Sequence, residues 1–190
     1  MSEQDDMIAA LRPVSLAFQQ LGIPFYVGGS VASSFHGASR STMDVDLVAD
    51  MVEEAVPQFL NKFGKEYYVS ESAIREAIQH KSSFNLIHLP TSFKVDVFIN
   101  RKRPFDLLVM DRSTLENLGD SVTLEVPVAS AEDIILTKLE WYRKSNETSE
   151  RQWDDVSRLL KLLGENVDLK YLHQQAAELE VDDLVLRLTQ

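Results

Sequence analysis

Residues 27–50, VGGSVASSFHGASRSTMDVDLVAD, tie a Gly-Gly-Ser turn at the end of one apolar run to a second apolar run that carries two aspartates one residue apart. A strand repeats every two residues, so Asp44 and Asp46 project from one face while Val45 and Leu47 project from the other. Two carboxylates converging on one spot repel unless a cation lies between them. Hard oxygen ligands of this kind suit Mg²⁺ or Mn²⁺, which keep waters and take substrate phosphates as further ligands. The segment therefore reads as a phosphate cradle beside a divalent-metal platform.

A third carboxylate extends this picture. In Phe93-Lys94-Val95-Asp96-Val97-Phe98-Ile99, Asp96 interrupts an almost wholly apolar run, where an unpaired charge would cost several kcal/mol. If that strand lies beside the one carrying Asp44 and Asp46, three carboxylates meet at one part of a sheet and can hold two metals about 4 Å apart, as in phosphoryl transfer. The simpler reading leaves Asp96 facing solvent on a half-exposed strand.

The remaining composition narrows the class. The chain has no cysteine, which excludes disulfides, thiolate zinc sites and a cysteine nucleophile. Nineteen Lys and Arg against 30 Asp and Glu give a net charge of −11, a field that disfavours non-specific binding to nucleic acid or anionic membrane. The strongest local exception is Asn100-Arg101-Lys102-Arg103-Pro104, read either as a solvated turn or as a phosphate contact. No run approaches the roughly 20 apolar residues of a membrane span, and the acidic start lacks a signal-peptide pattern, so a cytoplasmic location without membrane partners is expected. No Gly-x-Ser-x-Gly or His-Glu-x-x-His is present, which leaves a hydrolase triad or zinc-protease site without support.

Periodicity predicts an amphipathic helix over residues 5–21, bent or restarted at Pro13, then a short strand at 25–27 and a helix at 31–37. A strand at 45–48 leads to a helix at 52–63, a strand at 67–69 and a helix at 72–79 capped by Ser70 or Ser72. Strands at 83–89 and 93–99 form a hairpin through Pro90-Thr91-Ser92. A strand at 123–128 precedes helices that fill the chain from Ala131 onward. The expected fold is α+β: a small mixed sheet flanked by helices over residues 1–128, with a C-terminal helical region, 129–190, packed directly on it.

This order of strand, Gly-Gly-Ser, short helix, Asp-x-Asp strand and distant single-Asp strand resembles the nucleotidyltransferase fold of the DNA polymerase beta superfamily. Within it, Gly28-Gly29-Ser30-Val31-Ala32, His36-Gly37, Arg40-Ser41-Thr42 and Asp44-Val45-Asp46-Leu47 resemble the long motif of AbiEii-like bacterial nucleotidyltransferases, often parts of toxin–antitoxin loci. Ala131-Glu132-Asp133-Ile134 with Lys138, and Arg151-Gln152-Trp153-Asp154-Asp155-Val156, are similar to that group's later motifs.

The resemblance implies transfer of a nucleoside monophosphate from an NTP to a hydroxyl acceptor, with release of pyrophosphate. Asp44, Asp46 and Asp96 would be the catalytic metal ligands, with Mg²⁺ or Mn²⁺ as cofactor, and Asp96 would help to deprotonate the attacking hydroxyl. Gly28, Gly29, Ser30, Arg40, Lys138 and Asp155 would bind the nucleotide, Lys138 also serving the reaction. Arg40 either reaches the triphosphate or pairs with Asp46, and Lys138 is either aimed at the site or covers a helix surface. Related proteins usually show Arg-Asp-x-x-Asp; Gln152 departs from it, leaving Asp155 as candidate acid and Asp154 as its rival. His36, Trp141 and Trp153 read as packing residues. The acceptor, whether a tRNA, a protein or a small molecule, and an antitoxin partner stay open, as does a non-catalytic nucleotide- or partner-binding domain that retains the fold.

Overall fold

The computed structural model describes residues 3–38, 43–119 and 124–189. Helix α1 (Glu3–Gln20) leads to β1 (Phe25–Val27), α2 (Gly29–Phe35) and β2 (Asp44–Ala49). A 3₁₀ turn (Glu53–Ala55) and α3 (Val56–Leu60) precede β3 (Tyr67–Val69), α4 (Glu71–His80) and the hairpin β4 (Ser83–His88) and β5 (Phe93–Ile99). Then come α5 (Pro104–Arg112), β6 (Thr114–Leu118), β7 (Leu124–Val128) and the helices α6 (Ala131–Lys144), α7 (Glu150–Leu163), α8 (Leu169–Glu178) and α9 (Asp182–Thr189).

The strands form one mixed sheet in the order β3-β4-β5-β2-β1-β7-β6. Strand β2 pairs parallel with β5, and β1 pairs parallel with β7, while the other neighbours are antiparallel. Period-two alternation assigns the two faces of the central strands. Val45, Leu47 and Ala49 of β2 and Val95 and Val97 of β5 are fully buried beneath α1, whose Leu11, Val14 and Phe18 are also buried. Phe18 stacks on Phe59 of α3 with ring centroids 5.0 Å apart. Each such side chain contributes ~1.5–3 kcal/mol of burial, so this face anchors the sheet. The alternate residues, Asp44, Asp46 and Val48 of β2 and Lys94, Asp96 and Phe98 of β5, are only partly covered.

Pro13 lies inside one continuous α1 and does not restart it. Proline in a helix interior frees the carbonyl four residues back and crowds it. Here the Tyr67 hydroxyl reaches the carbonyls of Ala9 at 3.4 Å and Ala10 at 2.7 Å, so that stretch of backbone is satisfied from β3. The helix expected at 52–63 is shorter, a 3₁₀ turn and then α3. Two elements were not foreseen, α5 and β6. Helix α5 begins with Pro104 at its first turn, and the Asp106 carboxylate caps it by accepting from the Arg103 amide at 3.2 Å; β6 is an edge strand with most side chains exposed, so it carries little alternation. Among the described residues no helix is long and apolar enough to cross a membrane.

Candidate active site

Strand register creates the site. Parallel pairing of β2 with β5 sets Asp46 directly opposite Asp96, and Asp44 opposite Lys94. Because the three aspartates fall on the less covered face, they are held on neighbouring strands and on one side of the sheet. Burial first, then the charges of Asp44 and Asp96, push the Asp46 carboxyl up to about 6, while Lys138 and Lys94 oppose the rise.

The Gly-Gly-Ser turn closes on the same aspartate. The Gly28 amide donates to the Asp46 carbonyl at 2.9 Å, fixing the end of β1 against β2. Gly29 has φ +55°, and a Cβ there would lie 1.8 Å from Asp46 Oδ2. Only glycine allows both that conformation and that approach. Ser30 follows as a buried residue in the first turn of α2. His36, at the far end of this helix, donates from Nε2 to the Ala129 carbonyl at 2.9 Å and so serves packing, as expected from sequence.

Helix α6 supplies the opposite wall. Ser130 caps it by accepting from the Asp133 amide, and Ile134, Thr137, Lys138 and Trp141, spaced three and four apart, present one stripe to a cleft of about 480 Å³. Gly28, Gly29, Ser30, Asp44, Asp46 and, from α7, Asp155 line the same cleft. Asp96 lies one strand further out, across from Asp46 and outside that lining. Lys138 is buried and its Nζ donates to Asp155 Oδ2 at 2.8 Å, so its charge is directed into the site and it does not cover a helix surface. Asp155 and not its neighbour is the carboxylate on the cleft; Asp154 is exposed. Arg40 lies outside the described residues.

Several cleft residues escaped the sequence reading. Trp141 is not core: it is 41% exposed, lines the cleft, and lies 6.3 Å from Phe98 between ring centroids. Its spacing of three from Lys138 was the available signal. Trp153 does pack, against Tyr142 at 5.2 Å. Asp106 and Glu140 also line the cleft and engage Arg103, whose guanidinium donates to Asp106 Oδ1 and Glu140 Oε1, each at 2.7 Å. Burial alone would raise the Glu140 carboxyl, but hydrogen bonds from Arg103 and Lys144 outweigh it and hold the group at about 2. Lys102 pairs with Asp50 at 3.0 Å. Arg101 Nη1 lies 3.8 Å from Glu140 Oε1, so all three cations in the basic strip have carboxylate partners within the protein.

Among the described residues no three acidic or histidine side chains are drawn together as a ready-made metal site. The donor set nevertheless fits a hard divalent cation: carboxylates on adjacent parallel strands, with Asp46 raised by burial first and then by its two carboxylate neighbours.

A family model described as the nucleotidyl transferase AbiEii toxin of a type IV toxin–antitoxin system matches residues 13–184. No curated protein matches the chain. Among solved structures, an antigenic nucleotidyltransferase-like protein from Paracoccidioides brasiliensis superposes with a TM-score of 0.62 at 18% identity, covering 99% of this chain and 88% of that one. JHP933 from Helicobacter pylori gives 0.54 at 15% identity, with 97% and 80% covered. ANT(2")-Ia in complex with adenylyl-2"-tobramycin gives 0.53 at 13% identity, with 95% and 97% covered. At these identities the structures share the fold.

Proposed function

The chain belongs to the AbiEii nucleotidyl transferase family, and from that membership and the carboxylate register we propose that it moves a nucleoside monophosphate from an NTP to a hydroxyl acceptor, releasing pyrophosphate. The observation that carries this reading is Asp46 set directly opposite Asp96 on parallel strands, beside a turn that only glycine permits.

Asp44, Asp46 and Asp96 would hold Mg²⁺ or Mn²⁺. The metal, when bound, supplies charge neutralisation for the triphosphate and the leaving pyrophosphate. The triphosphate lies along Gly28, Gly29 and Ser30, where Gly28 carries no Cβ to hold phosphate oxygens off the backbone and Gly29 lets the turn close on Asp46. Lys138, oriented by Asp155, offers its ammonium to the phosphates from the opposite wall. The acceptor oxygen attacks the α-phosphorus and its proton passes to an Asp96 carboxylate oxygen. The bond from the α-phosphorus to the bridging oxygen breaks, and that oxygen leaves on pyrophosphate. Arg40 would extend the triphosphate contacts.

Engagement of Lys102 and Arg103 by Asp50, Asp106 and Glu140, together with a net charge of −11, favours a protein or small-molecule acceptor over a tRNA. Family membership supports a role as the toxin of a two-component system with an antitoxin partner. Gln152, in place of the acid usual in related proteins, is the feature that favours a non-catalytic nucleotide-binding domain. Incubation with each α-labelled NTP, Mg²⁺ and a cell extract separates the two readings. Label on a macromolecule or metabolite, with pyrophosphate released, is expected; NTP binding without either product would establish the non-catalytic domain.

A further inference from the structure

Asp96 is already engaged. Lys94, two residues earlier on the same face of β5, places its Nζ 2.6 Å from Asp96 Oδ2, and its backbone sits in register opposite Asp44. Neither side chain is deeply buried: that of Lys94 is 40% exposed and that of Asp96 19%. Both residues can therefore exchange partners without unpacking the sheet. The pairing gives a physical reason why the three aspartates do not converge as a ready-made ligand set.

We propose that Lys94 is an internal counter-cation of the carboxylate cluster, which a divalent metal must displace from Asp96 before all three carboxylates can serve it. This rests on the assignment of Asp44, Asp46 and Asp96 to a metal. One ammonium and one divalent ion compete for the same oxygen, so Lys94 stabilises the metal-free protein and weakens metal binding in the absence of nucleotide. Once displaced, the ammonium stays at the cluster on a flexible stem, where an incoming triphosphate supplies a new anionic partner. Metal loading is thereby coupled to nucleotide arrival.

The test is Mn²⁺ binding to the nucleotide-free protein, read by the free-Mn²⁺ electron paramagnetic resonance signal and by calorimetry. Lys94→Met is expected to tighten Mn²⁺ binding roughly fivefold, the equivalent of about 1 kcal/mol for an ion pair of this exposure. It should also lower the melting temperature of the metal-free protein, whereas Lys94→Arg should leave both near wild type. The gain must vanish when Asp96→Asn is already present; a gain of equal size in that background reflects general charge repulsion and overturns the specific pairing. Unchanged affinity in Lys94→Met, with wild type binding Mn²⁺, overturns the proposal alone. If neither wild type nor Lys94→Met binds Mn²⁺, the metal assignment itself fails, and this proposal with it. Lys94→Gln, which keeps a polar end, provides a second variant should Lys94→Met fold poorly.

Discussion

Gly29 shows how little tolerance the site has at a single residue. A side chain there meets two penalties, a left-handed backbone and overlap with Asp46 Oδ2. Gly29→Ala should cost at least ~1–2 kcal/mol for the backbone alone and displace the Asp46 carboxylate, lowering both urea stability and metal affinity. If both are unchanged, the turn does not hold the aspartate. The neighbouring acids Asp154 and Asp155 make a second comparison. Asp155→Asn removes the partner of a buried lysine and should destabilise the fold on the order of 3 kcal/mol and weaken NTP binding. Asp154→Asn, on an exposed position, should stay within about 0.5 kcal/mol of wild type. Denaturant melts and NTP titrations of the two variants check the pair; equal effects would contradict the geometry. In the sequence these acids are indistinguishable, because a shift of one residue on a helix turns the side chain by about 100° and only the packed position of α7 says which faces Lys138.

At the scale of elements, α5 and α6 are clamped by Arg103 between Asp106 and Glu140, with Lys144 on the same carboxylate. Folding depresses the Glu140 pKa to about 2 from its usual 4.5. The clamp's stabilisation is therefore fully present above about pH 4.5 and is lost as the pH falls towards 2. Melting temperatures from pH 6 to pH 2.5 should fall more steeply in wild type than in Glu140→Gln; parallel curves would show that the clamp adds nothing. The link between the two helices was invisible in sequence because Arg103 and Glu140 lie 37 residues apart. Strands β1, β3 and β5 were legible to the residue, since compact runs of β-branched and aromatic residues lie between turn signals. Helix α5 left a readable trace that was passed over: Pro104 at the first helical position and an acid three residues after Arg103. Strand β6 left almost none, being exposed along most of its length.

Across the whole molecule, what the sequence lacked was register. Period-two alternation showed that Asp44 and Asp46 share a face and that Asp96 interrupts an apolar strand, but the parallel pairing of β2 with β5 is a long-range fact. A slip of one residue would have turned Asp96 to the buried face. The Lys94–Asp96 pair, two residues apart on one face of β5, needed no long-range contact and was passed over. The fold class, by contrast, followed from local order alone, and residues 13–184 match the family model accordingly. The proposed nucleotidyl transfer rests on Asp96 being opposite Asp46. The most direct test compares wild type with Asp96→Asn for pyrophosphate release from NTP in the presence of Mg²⁺ and a labelled acceptor, with NTP binding measured on the same samples. Asp96→Asn should retain NTP binding and lose about 100-fold or more in pyrophosphate release. Release at the wild-type rate by Asp96→Asn would contradict the assignment of this carboxylate to the reaction.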